Sequence, residues 1–195
     1  MKRDIYEEQA GAGTGTANRP RTAQPASAKS GMDEEGMRKM REAGTPGPAH
    51  QALADLVGSW RAEVKCWSQP GGQPEISQAT ARVNWTLDGH FLQEEFHGNV
   101  MGQPFDGRML MGYDNTKRKF NAVWVDSLHT SMSTSEGKGE NNNKTITLEG
   151  KMDCPATGRK DMPVKQVLRV DNREKHTFEL FSDGQKSMEI TYTRQ

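Results

Sequence analysis

The sequence predicts an all-β domain in which about ten antiparallel strands close into a barrel, and three observations carry that prediction. From Ser59 onward, apolar residues recur at every second position in short segments, which is the pattern of half-buried strands. Turn residues such as Asp88-Gly89 and Asp183-Gly184 separate these segments at hairpin spacing. The connections are too short for crossover helices, so neighbouring strands must run antiparallel.

Closure of the sheet follows from the number of strands. An open sheet of this width would expose two long edges, and an up-and-down barrel has none. A two-sheet sandwich is the alternative architecture. The predicted strands occupy residues 59–67, 79–87, 90–98, 104–112, 119–126, 131–137, 145–152, 162–170, 176–182 and 187–194.

The N-terminal region, residues 1–49, is predicted to be a disordered tail. It contains no Leu, Val, Phe or Trp, so it cannot bury enough apolar surface to offset its ordering entropy. Residues 32–43 place acids four positions ahead of bases, as in Glu34 and Arg38, an order that favours a helix. Gly36 and the short length disfavour one. We therefore favour a fluctuating charged stretch, and a short helix that docks on a partner or on the barrel mouth is the alternative.

The remaining residues, 50–195, form one predicted domain. A chain of this length buries enough surface for an independent core. The segment from His50 to Val57 precedes the first predicted strand and is interpreted as a short lid helix.

Composition excludes several classes of partner. The chain has 26 Lys and Arg against 26 Asp and Glu, which argues against binding to nucleic acid or an anionic membrane. Acidic residues from Asp4 to Glu8 occupy the place of a signal-peptide apolar core, and no apolar run could cross a bilayer. Cys66 and Cys154 provide neither a disulfide framework nor a metal knuckle. These features predict a soluble, cytoplasmic protein with reduced thiols.

Alternation along the strands assigns side chains to the two faces of the sheet. The inner face gathers aromatic and methionine side chains beside one carboxylate, Asp126, and we predict that it binds a small apolar or amphipathic molecule oriented by that carboxylate. The predicted ligand-binding residues are Trp85, Phe105, Met109, Tyr113, Trp124, Asp126 and Met152. Alternatively, the same side chains fill the interior as a solid core.

Two short motifs resemble those of lipocalin-like barrels. Gly58-x-Trp60 is similar to the Gly-x-Trp that opens their first strand, and Arg194 stands where their pattern has an arginine packed over that tryptophan. The resemblance implies structural roles for Trp60 and Arg194, and cation–π stacking would then offset part of the cost of burying the arginine.

A further set of short motifs occurs in a fixed order along the chain. The motifs are Leu56-Val-Gly-Ser-Trp60, Trp85-Thr-Leu-Asp-Gly-His-Phe-Leu92, Met101-Gly-Gln-Pro-Phe105, Gly112-Tyr-Asp114, Trp124-Val-Asp-Ser127 and Met188-Glu-Ile-Thr-Tyr-Thr-Arg194. Together they resemble an uncharacterised family, domain of unknown function 1579. The resemblance spans about residues 50–195, implies a lipocalin-like barrel and assigns no function.

Catalytic and metal chemistry find little support in the sequence. The histidines are scattered without metal-site spacing, so we predict no metal site. Asp126, Ser127 and His129 are close in sequence, but Asp126 and Ser127 should face opposite sides of a strand, and Gly-x-Ser-x-Gly is absent. An enzyme that uses Asp126 is therefore the lowest-ranked hypothesis.

Two alternative functions remain beside the ligand-binding barrel. The first is a non-catalytic interaction module that recruits a partner through the N-terminal tail. The second is a haem-binding barrel, because nitrobindin-type barrels look similar in size and in their opening Gly-x-Trp. Those barrels bind iron through a histidine near the chain end, whereas residues 187–195 contain none and His176 is the nearest candidate. We predict no cofactor. A homodimer is the remaining alternative for the oligomeric state.

Overall fold

The computed structural model describes residues 32–100, 102–155 and 157–195, so most of the predicted tail lies outside the described residues. The prediction of a ten-stranded antiparallel barrel is confirmed. Two short helices, α1 (Glu34–Ala43) and α2 (Pro48–Gln51), and a 3-10 turn (Ala54–Leu56) precede the strands. The strands are β1 (Gly58–Cys66), β2 (Glu75–Thr86), β3 (Phe91–Val100), β4 (Gln103–Asp114), β5 (Lys119–Asp126), β6 (Ser133–Glu140), β7 (Thr145–Cys154), β8 (Arg159–Asn172), β9 (Lys175–Ser182) and β10 (Gln185–Arg194).

The sheet closes through β1, which pairs antiparallel with both β2 and β10. Each strand from β2 to β9 pairs with its two neighbours in sequence, so the connectivity is up-and-down and the sandwich alternative is wrong. Asp183 and Gly184 form the predicted tight turn between β9 and β10, and both have the positive φ that such two-residue turns require.

Several strands extend further than the sequence predicts. β2 begins at Glu75 and β8 begins at Arg159, a few residues before the predicted starts at 79 and 162. These added residues are mostly exposed, and even Ile76 is 57% exposed. Because hydrophobic alternation appears only where one face is buried, it does not mark strand ends that project into solvent.

The charged segment near the N-terminus is helical. In α1 the side chain of Asp33 accepts a hydrogen bond from a first-turn backbone N–H at 2.8 Å, and ion pairs join side chains one turn apart. The Nδ2 of Asn115 donates to the carbonyl oxygens of Ala43 and Thr45 at 3.1 and 2.8 Å. These bonds fix the C-terminal end of α1 to the loop between β4 and β5.

The lid segment, from Pro48 to Leu56, covers one end of the barrel. Leu53 and Leu56 are buried in the core, and the Nε1 of Trp60 donates a hydrogen bond to the carbonyl oxygen of Leu56 at 2.9 Å. The buried indole thereby satisfies its only polar group. We call this end, where β1 begins and β10 ends, the closed end.

Arg194, the last residue of β10, packs against Trp60 at the closed end. Its guanidinium Cζ lies 4.2 Å from the centroid of the Trp60 ring. Gly58 allows this approach, because a Cβ at that position would lie 2.1 Å from Nη1 of Arg194 and the backbone has a φ of +148°. Position 58 therefore requires a glycine for two reasons, the close approach of Arg194 and the positive φ.

Candidate functional site

The barrel encloses a cavity of about 610 Å³. It runs from Leu56 at the closed end to the opposite end, where the exposed residues Leu128, His129 and Ser131 line its mouth. Its walls are mainly the inward-facing apolar side chains of the strands. The interior is therefore open, and the alternative of a solid core is wrong.

Five of the seven predicted ligand-binding residues line this cavity: Phe105, Met109, Trp124, Asp126 and Met152. Trp85 and Tyr113 do not. Tyr113 packs against His50 and Phe120 near the closed end, with ring centroids 5.9 and 4.9 Å away. Trp85 pairs with Leu92, which is fully buried, and packs against the hydrophobic core. Alternation gave the face of these residues and no information on their height along the barrel axis.

An aromatic wall forms one side of the cavity. The rings of Phe105 and Trp124 are nearly parallel at 21°, with centroids 6.3 Å apart, and Phe96 meets both rings edge-on. Gly107 on β4 makes room for the indole, since a Cβ there would lie 2.3 Å from its Cη2 and Cζ2 atoms. The wall is a flat apolar surface that can accept an aliphatic or aromatic group.

Asp126 lies at the edge of this wall that is nearest the mouth. Its Oδ2 accepts from Nε1 of Trp124 at 2.9 Å, and its Oδ1 lies 2.9 Å from Nδ1 of His129. Burial acts to raise the pKa of the Asp126 carboxyl, but the hydrogen bonds from His129 and Trp124 outweigh burial and the pKa is lowered. The carboxylate is thus ionised and already engaged by protein donors.

Ser127 does not join Asp126 and His129 in a catalytic triad. Its Oγ accepts the backbone N–H of Asp106 at 3.1 Å, in an exposed position. The sequence places Ser127 on the opposite face of β5 from Asp126, and the structure gives its hydroxyl a partner away from the cavity.

Glu94 is a cavity residue that the sequence analysis missed. It is 6% exposed, and its Oε1 accepts a hydrogen bond from the hydroxyl of Tyr192 at 3.1 Å. Burial raises the pKa of Glu94 to about 7, against a smaller lowering by the Tyr192 hydrogen bond. The signal was available, because Glu94 alternates with Leu92 and Phe96 and so belongs to an apolar inward row.

His176 lies beside this pair. Its ring stacks on Tyr192 with centroids 4.2 Å apart and is met edge-on by Trp60 at 4.3 Å. It is 4% exposed, and its Nδ1 has no hydrogen-bond partner among the described residues. Burial, followed by the nearby charge of Arg194, lowers the pKa of His176 to about 3. We call Glu94, Tyr192 and His176 the deep polar cluster.

The surroundings of His176 do not fit an axial haem ligand. A metal-binding histidine almost always donates its second ring N–H to a carboxylate, a carbonyl or water, which orients the ring and raises its basicity. Nδ1 of His176 has no such partner in the described residues, and aromatic rings cover the imidazole. We therefore derive no chemistry through haem.

In the described ranges, no cluster of three or more His, Cys, Asp or Glu side chains could hold a metal ion. The helices of the same ranges are all too short or too polar to span a bilayer. The cytoplasmic location, the exclusion of nucleic acid and membranes as partners, and the homodimer stay predictions from the sequence.

The fold and the site define the chain as a cavity-containing antiparallel β-barrel. It belongs to the family described as "Protein of unknown function (DUF1579)", whose model matches residues 45–194. No curated protein matches the chain.

A solved structure shows the same kind of fold. The chain is 18% identical to Rv2717c from M. tuberculosis, covering 77% of this chain and 99% of that one with a TM-score of 0.57. A de novo designed fluorescence-activating β-barrel is 11% identical, covering 74% of this chain and 97% of its own, with a TM-score of 0.42. The first comparison shows a shared barrel fold, and the second is too distant to support an argument.

Proposed function

We propose that this protein binds a small apolar or amphipathic molecule inside the barrel. The observation that carries the proposal is the internal cavity of about 610 Å³ with mainly apolar walls and a few buried polar groups. Ligand sites in proteins are commonly concave, apolar and of about 300–1,000 Å³, with a small number of polar groups that orient the ligand.

Packing energetics supports the proposal. Protein interiors are normally close-packed, and a void removes contacts from the side chains that line it. A barrel whose only role was structural would gain stability by filling its interior with larger side chains. Small residues at inward positions, including Ala79, Ala122 and Ser135, instead keep the volume open.

The direct test is binding of Nile red, an uncharged hydrophobic dye, to the full-length protein. We expect an enhanced, saturable fluorescence signal. Trp124→Ala should weaken the affinity about tenfold, because it removes the ring that forms the aromatic wall. Leu110→Ala is the matched control: Leu110 lies on the neighbouring strand β4, is 40% exposed and does not line the cavity.

Native mass spectrometry of the purified chain provides a second measurement. A retained small molecule, released on denaturation, would support the proposal independently of the dye. Absence of a retained molecule together with no saturable Nile red binding would overturn it.

A second candidate function is recruitment of a protein partner through α1. None of the residues of this helix is buried, and Met32, Met37 and Met40 are 53%, 45% and 58% exposed. Exposed methionines on an amphipathic helix are typical of segments that bind in a partner's groove.

Deleting residues 1–43 separates the two candidates while keeping the lid segment. Loss of a co-purifying protein with unchanged Nile red binding would favour recruitment as an additional role of the tail. Loss of Nile red binding without any loss of a protein partner would favour a contribution of α1 to the cavity.

A further inference from the structure

The charges that line the cavity have one sign. Four carboxyl residues, Glu75, Glu94, Asp126 and Asp153, contribute to its surface, whereas no Lys or Arg of the described ranges does. Glu75 and Asp153 are exposed residues at the mouth, and Glu94 lies deep inside. An anionic ligand would therefore meet repulsion on entry and find no positive partner inside.

The deep polar cluster offers hydrogen-bond acceptors. The hydroxyl proton of Tyr192 is already donated to Glu94, and the neutral imidazole of His176 has one nitrogen without a proton. His176 is 96% buried on the cavity wall with an unpartnered Nδ1. The charge of Arg194 acts on His176, but Arg194 pairs with Glu174 rather than with Glu94. A ligand that brings donors and a positive charge would therefore complement Glu94.

We propose that the cavity selects lipophilic organic amines, with the ammonium group paired to Glu94 and the hydrocarbon part against the aromatic wall. This inference rests on the proposed ligand-binding function and specifies its ligand class. Glu94 forms no ion pair with a Lys or Arg of the described residues, and a buried carboxylate without a cation is costly, so an ammonium ligand would supply the counter-charge. Phe96, Phe105 and Trp124 provide the apolar surface that the hydrocarbon part contacts.

Glu94 lies toward the closed end of the cavity, and this position suits a linear amphiphile. Glu94 pairs with Val83 and Met109 on its neighbouring strands, and its partner Tyr192 lies two residues before Arg194 of the closed end. Phe105 pairs with Gly98, four residues beyond Glu94 along β3, and the indole of Trp124 lies over Gly107, which pairs with Phe96. An amine that enters with its charged end first would thus place its tail along the wall and toward the mouth.

The test uses three probes with the same tail: decylamine, decanol and decanoate. Their affinities for the full-length protein are measured by Nile red displacement and by calorimetry at pH 7.5. We expect decylamine to bind about tenfold more tightly than decanol, and decanoate at least about tenfold more weakly than decanol. This order on the wild-type chain tests the inference without any variant.

Substitutions at three positions test whether the charge of Glu94 causes the preference for decylamine over decanol. Glu94→Gln retains an acceptor for Tyr192 but removes the charge, so it should bring the affinities of decylamine and decanol to within about twofold. Glu94→Asp, which restores a carboxylate, should recover most of the preference. Glu95→Gln, beside Arg108 on the outer face of β3, is the matched control and should leave the preference within about twofold of wild type. Glu75→Gln tests separately whether charge at the mouth contributes to the preference.

Each failure has a distinct meaning. Equal binding of decylamine and decanol, tighter binding of decanoate, or an amine preference that survives Glu94→Gln would overturn the inference while the binding function stands. A loss of preference in Glu75→Gln as large as in Glu94→Gln would also overturn it, because attraction at the mouth would then explain selectivity. If none of the three probes binds and Nile red does not bind, both the inference and the proposed function fail.

Discussion

The guanidinium of Arg194 lies over the indole of Trp60, with Cζ 4.2 Å from the ring centroid. The same guanidinium donates to the carbonyl oxygens of Val57 and Asp55 at 2.9 and 3.1 Å. The last strand is therefore tied to both the first strand and the lid segment. This contact joins the two ends of the barrel domain at the point where the sheet closes.

Arg194→Ala should lower the free energy of unfolding by about 3 kcal/mol, because it removes the cation–π contact and leaves the carbonyl groups of Val57, Asp55 and Arg173 without this donor. Arg194→Lys should recover only part of this loss, since an ammonium lacks the planar fork that reaches all three carbonyls. Urea unfolding followed by tryptophan fluorescence measures both effects.

Arg61→Ala is the control for that prediction. Arg61 is exposed on β1, so its removal should change stability by less than about 0.5 kcal/mol. If Arg194→Ala lowered the free energy of unfolding no more than Arg61→Ala does, the assignment of Arg194 to closure of the barrel would be wrong.

Glu94 should make the wild-type chain less stable as the pH rises. The pKa of this carboxyl is about 7 in the folded chain and ordinarily 4.5, so the folded state binds more protons between these values. Its stabilising contribution is complete below pH 4.5 and is lost as the pH rises through about 7. Glu94→Gln stays neutral and should gain about 3 kcal/mol relative to wild type between pH 4.5 and 8.

The measurement is the free energy of unfolding in urea at several pH values across this window. Glu95→Gln provides the control, because Glu95 is the next residue on β3, half-buried beside Arg108 on the outer face of the sheet. A difference between Glu94→Gln and wild type that does not change with pH would contradict the buried, raised-pKa carboxyl.

His176 should make the wild-type chain less stable as the pH falls. Its pKa is about 3 when folded and ordinarily 6.5, so the unfolded chain binds more protons between these values and stability is lost as the pH falls toward 3. His176→Phe keeps an aromatic ring between Trp60 and Tyr192 and cannot be protonated. It should gain about 3 kcal/mol relative to wild type on going from pH 7.5 to pH 4.5.

Acid-induced unfolding monitored by circular dichroism checks this expectation. His97→Gln, on the exposed outer face of β3, serves as the matched control. Equal acid midpoints for His176→Phe and wild type would show that the imidazole becomes charged without cost in the folded chain.

Gly107→Ala should reduce Nile red binding without unfolding the barrel. The added methyl group would lie 2.3 Å from the indole of Trp124 and would displace that ring. The ring would move into the cavity, because the cavity is the open space beside it. We expect an affinity about tenfold lower and a shifted tryptophan emission. Gly47→Ala, where a Cβ meets nothing within 4 Å, should bind like wild type. Unchanged binding by a folded Gly107→Ala chain would argue that the dye does not occupy the space beside Trp124.

Much of the fold was predictable because alternation is a local property. Trp124 and Asp126 share an inward row for the same reason that makes β5 a strand, and the turn at Asp183-Gly184 follows from residues that tolerate positive φ. Alternation also placed Phe105, Met109 and Met152 on the cavity wall. It could have marked Glu94 by the same rule, as a carboxyl within an apolar row.

Other features depended on contacts between distant parts of the chain. The sequence favoured a fluctuating stretch at residues 32–43, but bonds from Asn115 on a distant loop fix the end of α1. Similarly, Tyr113 and Trp85 have the expected parity, yet their position along the barrel axis removes them from the cavity. That position is set by the stagger of neighbouring strands, which no single segment encodes.

The sequence by itself determined that this chain forms about ten antiparallel strands with one apolar face, since periodicity of two residues and turn chemistry act locally. Tertiary structure decided which inward side chains enclose space and which charges meet there. The pairing of Glu94 with Tyr192, ninety-eight residues later, exists only because β1 joins β2 to β10. Burial then raises the pKa of Glu94, and burial is a property of the closed barrel.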